Sequence, residues 1–136
     1  MDFYELYKPV TDMPNIYLEG FVFPASERFK ELTAQCAWVI SPSCSEGTAN
    51  SVMTCMRAGL IPICTYETGV DVEDFGFLVK DSVMDIKKTV IQASLTPETE
   101  LLTRQRRSVD ATENYTKEAF SKQFEKCIRE VLECAE

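Results

Sequence analysis

A polar stretch with a single carboxylate is the part of the sequence best suited to chemistry. It covers residues 41–51 (SPSCSEGTANS), after the apolar residues 38–40 and directly before a helix-like pattern. Gly47 lets the backbone come close to a ligand, and the N–H groups of about residues 48–51 should lack partners inside the helix. A helix start of this kind, with the positive end of its dipole, is suited to binding phosphate.

Glu46 needs a different ligand, because a carboxylate next to a phosphate site is repulsive. Carboxylates accept hydrogen bonds from neighbouring hydroxyl groups, so sugar hydroxyls are the natural candidate. If the helix begins near Gly47, Asn50 and Thr54 follow Glu46 at four and eight residues, and these side chains share one exposed face. The alternative, from position alone, is that Glu46 stabilises the helix N-terminus through its dipole and the serines are turn residues.

Short apolar strands alternate with helices along the chain. Strands are predicted at residues 16–22, 38–40, 61–64 and 77–79, and helices are predicted to follow Ser26, Gly47, Ser82, Thr96 and Thr116. Uniformly apolar strands between helices predict an α/β fold, a Rossmann-like parallel sheet of about four strands flanked by helices. Ligands of such sheets bind beyond the carboxyl ends of the strands, which is where residues 41–51 lie.

The helices have apolar residues at helical spacing, which predicts their buried faces. Val52, Cys55 and Met56 form the inner face of the helix after Gly47, and Gly59 can end that helix. The final helix is predicted to turn five apolar residues inward: Phe120, Phe124, Cys127, Ile128 and Val131.

Composition excludes several classes of function. The chain has 136 residues, enough for one domain, and a net charge of −8 without a basic block, so nucleic acid and anionic membranes are not expected partners. No apolar run approaches the roughly 20 residues of a membrane span, and no signal-peptide pattern opens the sequence. The six cysteines form no C-x-x-C pair, which favours reduced thiols in the cytoplasm. The absence of His removes Ser-His-Asp and Cys-His catalysis and the commonest metal ligand, and we expect no metal or other cofactor.

Several short motifs follow one another in a fixed order. They are Pro42-Ser43, Glu46-Gly47, Ala58-Gly59, Ile61-Pro62-Ile63, Gly69 and Gly76-Phe77-Leu78-Val79. In order and spacing, from about Asn15 to Leu132, the chain resembles the donor-binding half of GT-B retaining glycosyltransferases. The likeness is to the large family-four group, which includes bacterial capsule, exopolysaccharide and lipopolysaccharide enzymes. The resemblance implies that residues 1–136 are part of a C-terminal nucleotide-sugar-binding domain.

The resemblance also implies roles for individual residues. Glu46 matches the first acid of the family's paired-glutamate motif, which in relatives contacts the donor sugar near the anomeric carbon. Gly47, Thr48 and Ala49 match the backbone that meets the sugar and diphosphate. Val22 matches a position that lies against the nucleobase.

Two further residues complete the expected donor site. Asn50 belongs to the helix start that faces the diphosphate. Thr54 occupies the place of the family's second glutamate, which holds the ribose hydroxyls, so this chain departs from the pattern there. Threonine offers one weaker hydrogen bond and no charge, and ribose binding should be looser or depend on another residue.

Other parts of the family pattern have no match in this sequence. These are an Arg and Lys pair that steadies the leaving diphosphate, and an N-terminal Rossmann domain that binds the glycan acceptor. For the full enzyme, the resemblance implies retaining transfer of a sugar from a nucleoside-diphosphate sugar to a glycan hydroxyl, catalysed by fixed dipoles and cations. We therefore expect the isolated chain to be inactive, and to self-associate through an unpaired sheet edge.

Two alternatives remain open. One is half of a nucleotide-sugar epimerase, which shares the GT-B architecture but relies on catalytic acids and His residues; this chain has no His. The other is a Rossmann-like module kept for partner binding alone, with Thr54 as the sign of a decayed ribose site.

Overall fold

The computed structural model describes residues 2–72 and 74–134. The elements in chain order are α1 (Phe3–Thr11), α2 (Glu27–Gln35), β1 (Trp38–Ser41), α3 (Asn50–Arg57), β2 (Ile61–Thr65), β3 (Phe77–Val79), α4 (Val83–Ser94), α5 (Glu98–Ala111) and α6 (Lys117–Glu133). Single 3-10 turns follow β2 at Tyr66–Thr68 and α5 at Thr112–Tyr115. None of the helices in the described ranges combines the length and the apolar character that crossing a bilayer requires.

The sheet has three parallel strands in the order β1-β2-β3. This confirms an α/β fold with an open parallel sheet. The central strand β2 is buried along its whole length and still contains Pro62. Pro62 is tolerated because its missing N–H falls where the sheet needs no donor. The Ile61 N–H bonds to Ala37 on the β1 side, so Pro62 faces β3, and the pairing with β3 begins only opposite Ile63.

The prediction of a fourth strand at residues 16–22 is wrong. This segment has no regular secondary structure and pairs with no strand in the described part of the chain, and Gly20 turns it with a positive φ of 65°. An apolar run becomes a strand only where a neighbouring strand takes up its N–H and C=O groups. Val22 therefore lies outside the sheet, half-buried in this segment.

The core consists of two apolar clusters. One joins α3 to the segment between β2 and β3 through Val52, Met56, Val70 and Phe75, and the other lies around Ile63, Val79 and Ala93. The predicted inner face of α3 is confirmed, since Val52 and Met56 are buried and Cys55 is half-buried. These contacts hold α3 firmly against the sheet, with its N-terminus at the carboxyl ends of the strands.

Local signals at the helix ends are confirmed in most cases. Ser26 and Thr116 accept hydrogen bonds from first-turn N–H groups of α2 and α6, at 3.1 and 3.2 Å. Gly59, at φ 95°, ends α3. Pro97, predicted at the first helical position of α5, lies one residue earlier, at the N-cap.

The predicted inward face of α6 is wrong. Phe120, Phe124, Cys127, Ile128 and Val131 are all exposed, and the two phenylalanine rings stack on each other at 5.9 Å between centroids. Helices α3, α4 and α5 pack against the strands, whereas α6 makes its main contacts with the Thr112–Tyr115 turn. The periodic pattern predicts an apolar face correctly but does not specify its partner.

Candidate functional site

Glu46 lies in the loop between β1 and α3, which we call the Glu46 loop (residues 42–49). Because β1 and β2 are parallel, this loop and the turn after β2 meet at the same edge of the sheet. The Glu46 side chain is exposed, so its carboxylate is available to a ligand. Its position beyond the end of β1 is the one that the strand pattern predicts.

The Glu46 loop is tied to the turn after β2 by two backbone hydrogen bonds. The Glu46 N–H donates to the Glu67 carbonyl at 3.0 Å, and the Ala49 N–H donates to the Thr68 carbonyl at 3.1 Å. The Ala49 side chain is buried in the core beside Val52. The backbone N–H of Ala49, which we expected to face a diphosphate, is therefore already bonded within the protein.

Helix α3 begins at Asn50, so the condition for a shared face of Glu46, Asn50 and Thr54, a helix start near Gly47, is not met. The two bonds to the turn after β2 hold the loop in a non-helical conformation up to Ala49. Glu46 consequently does not share a helical face with Asn50 and Thr54. The N–H groups in the first turn of α3, beginning with Asn50 and Ser51, have no partner inside the helix and remain suited to binding an anion.

Three of the expected donor residues line two different cavities, whereas residues 47–49 are not part of the described lining of either one. The Glu46 cavity, about 830 Å³, is bounded by the Glu46 loop, the turn after β2 and Leu78. The Asn50 cavity, about 880 Å³, lies between α2, α3 and the Thr112–Tyr115 turn, and Asn50 and Thr54 line it. Val22 does not contribute to the described lining of either one.

The two cavities differ in charge. Three carboxylates, those of Glu46, Glu67 and Asp71, line the Glu46 cavity, and its described lining includes no Lys or Arg. Lys30 and Arg57 line the Asn50 cavity. A neutral hydroxyl-bearing ligand fits the first cavity better than an anion does, while the second offers cations.

The cations of the Asn50 cavity already have acidic neighbours. Lys30 pairs with Glu27 at 2.7 Å, and Arg57 pairs with Glu113 and also donates to the Thr112 hydroxyl at 3.1 Å. These ion pairs are exposed and weak, so an anionic ligand can compete for either cation.

Two threonine hydroxyl groups near the site are engaged within the protein. Thr48 Oγ1 donates to the Gly47 carbonyl at 2.8 Å, and Thr54 Oγ1 donates to the Asn50 carbonyl at 2.8 Å. Thr54 can therefore only accept a hydrogen bond from a ribose hydroxyl while this contact persists. Within the described residues, no group of three or more Cys, Asp or Glu is placed to hold a metal ion.

Two buried threonines support the site, a role that the sequence did not predict for either of them. Thr65 and Thr68 are fully buried, and their hydroxyl oxygens lie 3.1 Å apart. Thr65 donates to the carbonyl of Ser43, and Thr68 donates to that of Ser41 at 2.9 Å. The signal in the sequence is two threonines three residues apart, directly after an apolar strand.

The cysteines are free thiols in different surroundings. Cys64, in β2, is buried, and this burial raises its pKa to about 11, an effect that the neighbouring Thr68 hydroxyl partly offsets. Cys44 is exposed and lines the Glu46 cavity, and Cys127 is exposed on α6. Cys44 is therefore a chemical probe of the Glu46 cavity, and Cys127 is its natural control.

Comparison with known proteins identifies no family for this chain. No family model matches it, and no curated protein is similar enough to be a relative. Function has to be inferred from the residues and geometry of the two cavities and from the order of the motifs.

Proposed function

We propose that the chain is the donor-binding part of a retaining glycosyltransferase that moves a sugar from a nucleoside-diphosphate sugar to a glycan acceptor. The observation that carries this proposal is the exposed Glu46 carboxylate beyond the end of a parallel strand, four residues before the first turn of α3. The carboxylate is suited to binding sugar hydroxyl groups, and the neighbouring helix N-terminus is suited to binding phosphate. Together they match the two parts of a nucleotide sugar. The order of motifs that resembles family-four enzymes supports the same assignment.

In this proposal each part of the donor has its own place. The sugar occupies the Glu46 cavity, where Glu46 accepts hydrogen bonds from hydroxyl groups near the anomeric carbon. The diphosphate lies at the start of α3, where the N–H groups of Asn50 and Ser51 take the part that we expected of Ala49. The nucleoside extends into the Asn50 cavity, whose apolar lining includes Phe29 and Met53.

The negative charge of the Glu46 cavity supports a role for a second part of the enzyme, one that supplies cations. Retaining transfer develops negative charge on the leaving diphosphate, which cations stabilise. The described lining of the Glu46 cavity supplies three carboxylates and no cation. We propose that the missing cations and the acceptor site belong to a further domain, so that this chain binds the donor without transferring the sugar.

A non-catalytic binding module is the second candidate function. The Thr54 hydroxyl donates to the Asn50 carbonyl, so it holds ribose less well than a glutamate would. In that case nucleotide binding would be residual, and the motif order would reflect descent alone. Binding measurements on the chain separate the two candidates, because only the first requires a donor sugar to bind more tightly when Glu46 is present.

We also propose that the chain acts in the cytoplasm. All six cysteines are free thiols, and one of them, Cys64, is fully buried in the central strand. Reduced cysteines are typical of a reducing compartment. A cytoplasmic location fits a donor-binding role, because donor binding requires no processing of the chain in an oxidising environment.

Protection of Cys44 from alkylation tests the proposed function. The chain is treated with N-ethylmaleimide in the presence of UDP-glucose, GDP-mannose or ADP-glucose, and labelling of each cysteine is followed by peptide mass spectrometry. We expect at least one of these nucleotide sugars to slow labelling of Cys44 several-fold and to leave Cys127 unchanged. Failure of all three at millimolar concentration, or equal slowing at both cysteines, would contradict the proposal.

A further inference from the structure

Residues 65–69 comprise the last residue of β2, the turn after it and Gly69, and we call this segment the threonine turn. The threonine turn contacts the Glu46 loop at several points. Backbone bonds join Glu46 to Glu67 and Ala49 to Thr68. The hydroxyls of Thr65 and Thr68 reach the carbonyls of Ser43 and Ser41. Three of these hydrogen bonds join the threonine turn to the Glu46 loop, about twenty residues away in the sequence. The fourth holds Ser41, the last residue of β1, directly before the loop begins.

The hydroxyl contacts are shielded from water. Thr65 and Thr68 are both 0% exposed, so each hydroxyl must find its partner within the protein. A valine at either position would fill the same volume but leave the carbonyl of Ser43, in the loop, or that of Ser41, directly before it, without its buried donor. The two threonines therefore specify where the loop lies, and do more than fill space.

Gly69 brings the two segments into direct backbone contact. It has a positive φ of 67°, and a Cβ atom built there would lie 3.0 Å from the Gly47 carbonyl carbon and closer still to its oxygen. Only a residue without a side chain allows this approach. This close approach is made at Gly47, the residue next to Glu46.

The restraint has a visible effect on the course of the chain. Helix α3 begins at Asn50, directly after Ala49, the last residue that is bonded to the threonine turn. Without these bonds, residues 47–49 are free to join the helix, which would move Glu46 from its cavity toward the face of Asn50 and Thr54.

We propose that Thr65, Thr68 and Gly69 are positioning residues for Glu46. They hold its loop in the non-helical conformation that directs the carboxylate into the Glu46 cavity. The consequence for donor binding rests on the proposed function, whereas the restraint on the loop does not.

Deletion of one hydroxyl tests the proposal. Thr68→Val removes the donor to Ser41, and Thr68→Ser restores it. The matched control is Ser108→Ala, because Ser108 is also fully buried and donates to a carbonyl, that of Leu60, at 2.7 Å at the opposite end of β2. Both deletions should destabilise the chain comparably, so a difference at residues 46–49 cannot arise from lost stability alone.

The readouts are backbone Cα chemical shifts, amide exchange and affinity. In Thr68→Val we expect the Cα shifts of residues 47–49 to move toward helical values and exchange of the Ala49 amide to rise about five- to tenfold. Affinity for the best of the three nucleotide sugars should fall several-fold, while affinity for its nucleoside diphosphate stays within about twofold. Thr68→Ser should behave as the wild-type chain, and Ser108→Ala should change none of these quantities.

A backbone variant gives an independent test that also serves if Thr68→Val does not fold. Gly69→Ala places a methyl group against Gly47, whereas Gly59→Ala strains the backbone at φ 95° with nothing within 4 Å. Both substitutions impose a left-handed conformation on alanine, but only the first separates the two segments. We expect Gly69→Ala to reproduce the Thr68→Val effects and Gly59→Ala to leave residues 46–49 unchanged.

The outcomes separate the two proposals. Unchanged Cα shifts at residues 47–49 in Thr68→Val and Gly69→Ala would refute the positioning role, whatever the chain binds. Helical shifts accompanied by unchanged affinity for a bound nucleotide sugar would refute it as well. A wild-type chain that binds none of the three nucleotide sugars would instead refute the proposed function, and the Cα shifts would then decide the restraint by themselves.

Discussion

Replacement of Glu46 by glutamine should weaken binding of the sugar and leave the nucleoside diphosphate almost unaffected. Glu46→Gln keeps the size of the side chain and removes its charge. A hydrogen bond to a charged group contributes about 1.5–3 kcal/mol, and the exposure of Glu46 favours the lower end, about 1.5 kcal/mol. This corresponds to a roughly tenfold weaker affinity for the nucleotide sugar.

The nucleoside diphosphate should respond in the opposite direction. It lacks the sugar and meets Glu46 only as a like charge. At a separation of about 8 Å in a water-exposed site this repulsion is about 0.5 kcal/mol, so Glu46→Gln should tighten its binding about twofold. The nucleotide sugar carries the same diphosphate, so the relief of this repulsion is common to both ligands and cancels from the ratio of their dissociation constants. That ratio should therefore change by roughly tenfold, through the sugar contact alone, which calorimetric titration can measure.

Glu67→Gln is the matched control for this prediction. Glu67 is also exposed and lines the same cavity, and its substitution keeps the backbone carbonyl that accepts from Glu46. We expect the ratio of dissociation constants to change less than about twofold in Glu67→Gln, because the proposal assigns the hydroxyl groups near the anomeric carbon to Glu46. Equal effects of the two substitutions, or an unchanged ratio in Glu46→Gln, would refute the reasoning.

Three other properties of the chain can be predicted. The chain alone should release no nucleoside diphosphate from a nucleotide sugar in the presence of a glycan acceptor, because the described lining of the Glu46 cavity lacks a cation; measurable turnover would contradict this. Burial raises the pKa of Cys64 from 9.0 to about 11, so the free energy of unfolding should fall by roughly 2–3 kcal/mol as pH rises through this range, because the unfolded chain loses its thiol proton first. Cys64→Ala should lose that dependence in denaturation experiments, and Cys127→Ala should keep it. The outer edge of β1, which has no partner strand in the described chain, should cause self-association that Ile40→Lys reduces; a strict monomer in light scattering at high concentration would argue against it.

Features of the fold that depend on neighbouring residues could be predicted from the sequence. The alternation of strands and helices, the caps at Ser26 and Thr116 and the end of α3 at Gly59 each follow from a few adjacent residues. The segment 16–22 and the apolar face of α6 have the right local patterns as well. Their partners are not specified by those patterns, since a strand or an amphipathic face needs a second element to complete it.

In the site, too, some features follow from adjacent residues and others depend on residues far away in the sequence. The placement of Glu46 beyond β1 follows from the strand pattern, because ligand loops of parallel sheets lie at that edge. The start of α3 at Asn50 does not follow, since it depends on bonds to Glu67 and Thr68, some twenty residues away. For the same reason, the division of the donor residues between two cavities could not be read from the spacing of Glu46, Asn50 and Thr54.

A nucleotide-sugar titration followed by amide NMR tests the central claim most directly. If the Glu46 loop and the start of α3 bind the donor, saturating UDP-glucose, GDP-mannose or ADP-glucose should shift the amide signals of Gly47, Thr48, Asn50 and Ser51. The signals of α6 should stay in place and serve as the internal control. A titration that saturates without moving the loop and α3 signals, or that moves only signals elsewhere in the chain, would contradict the claim.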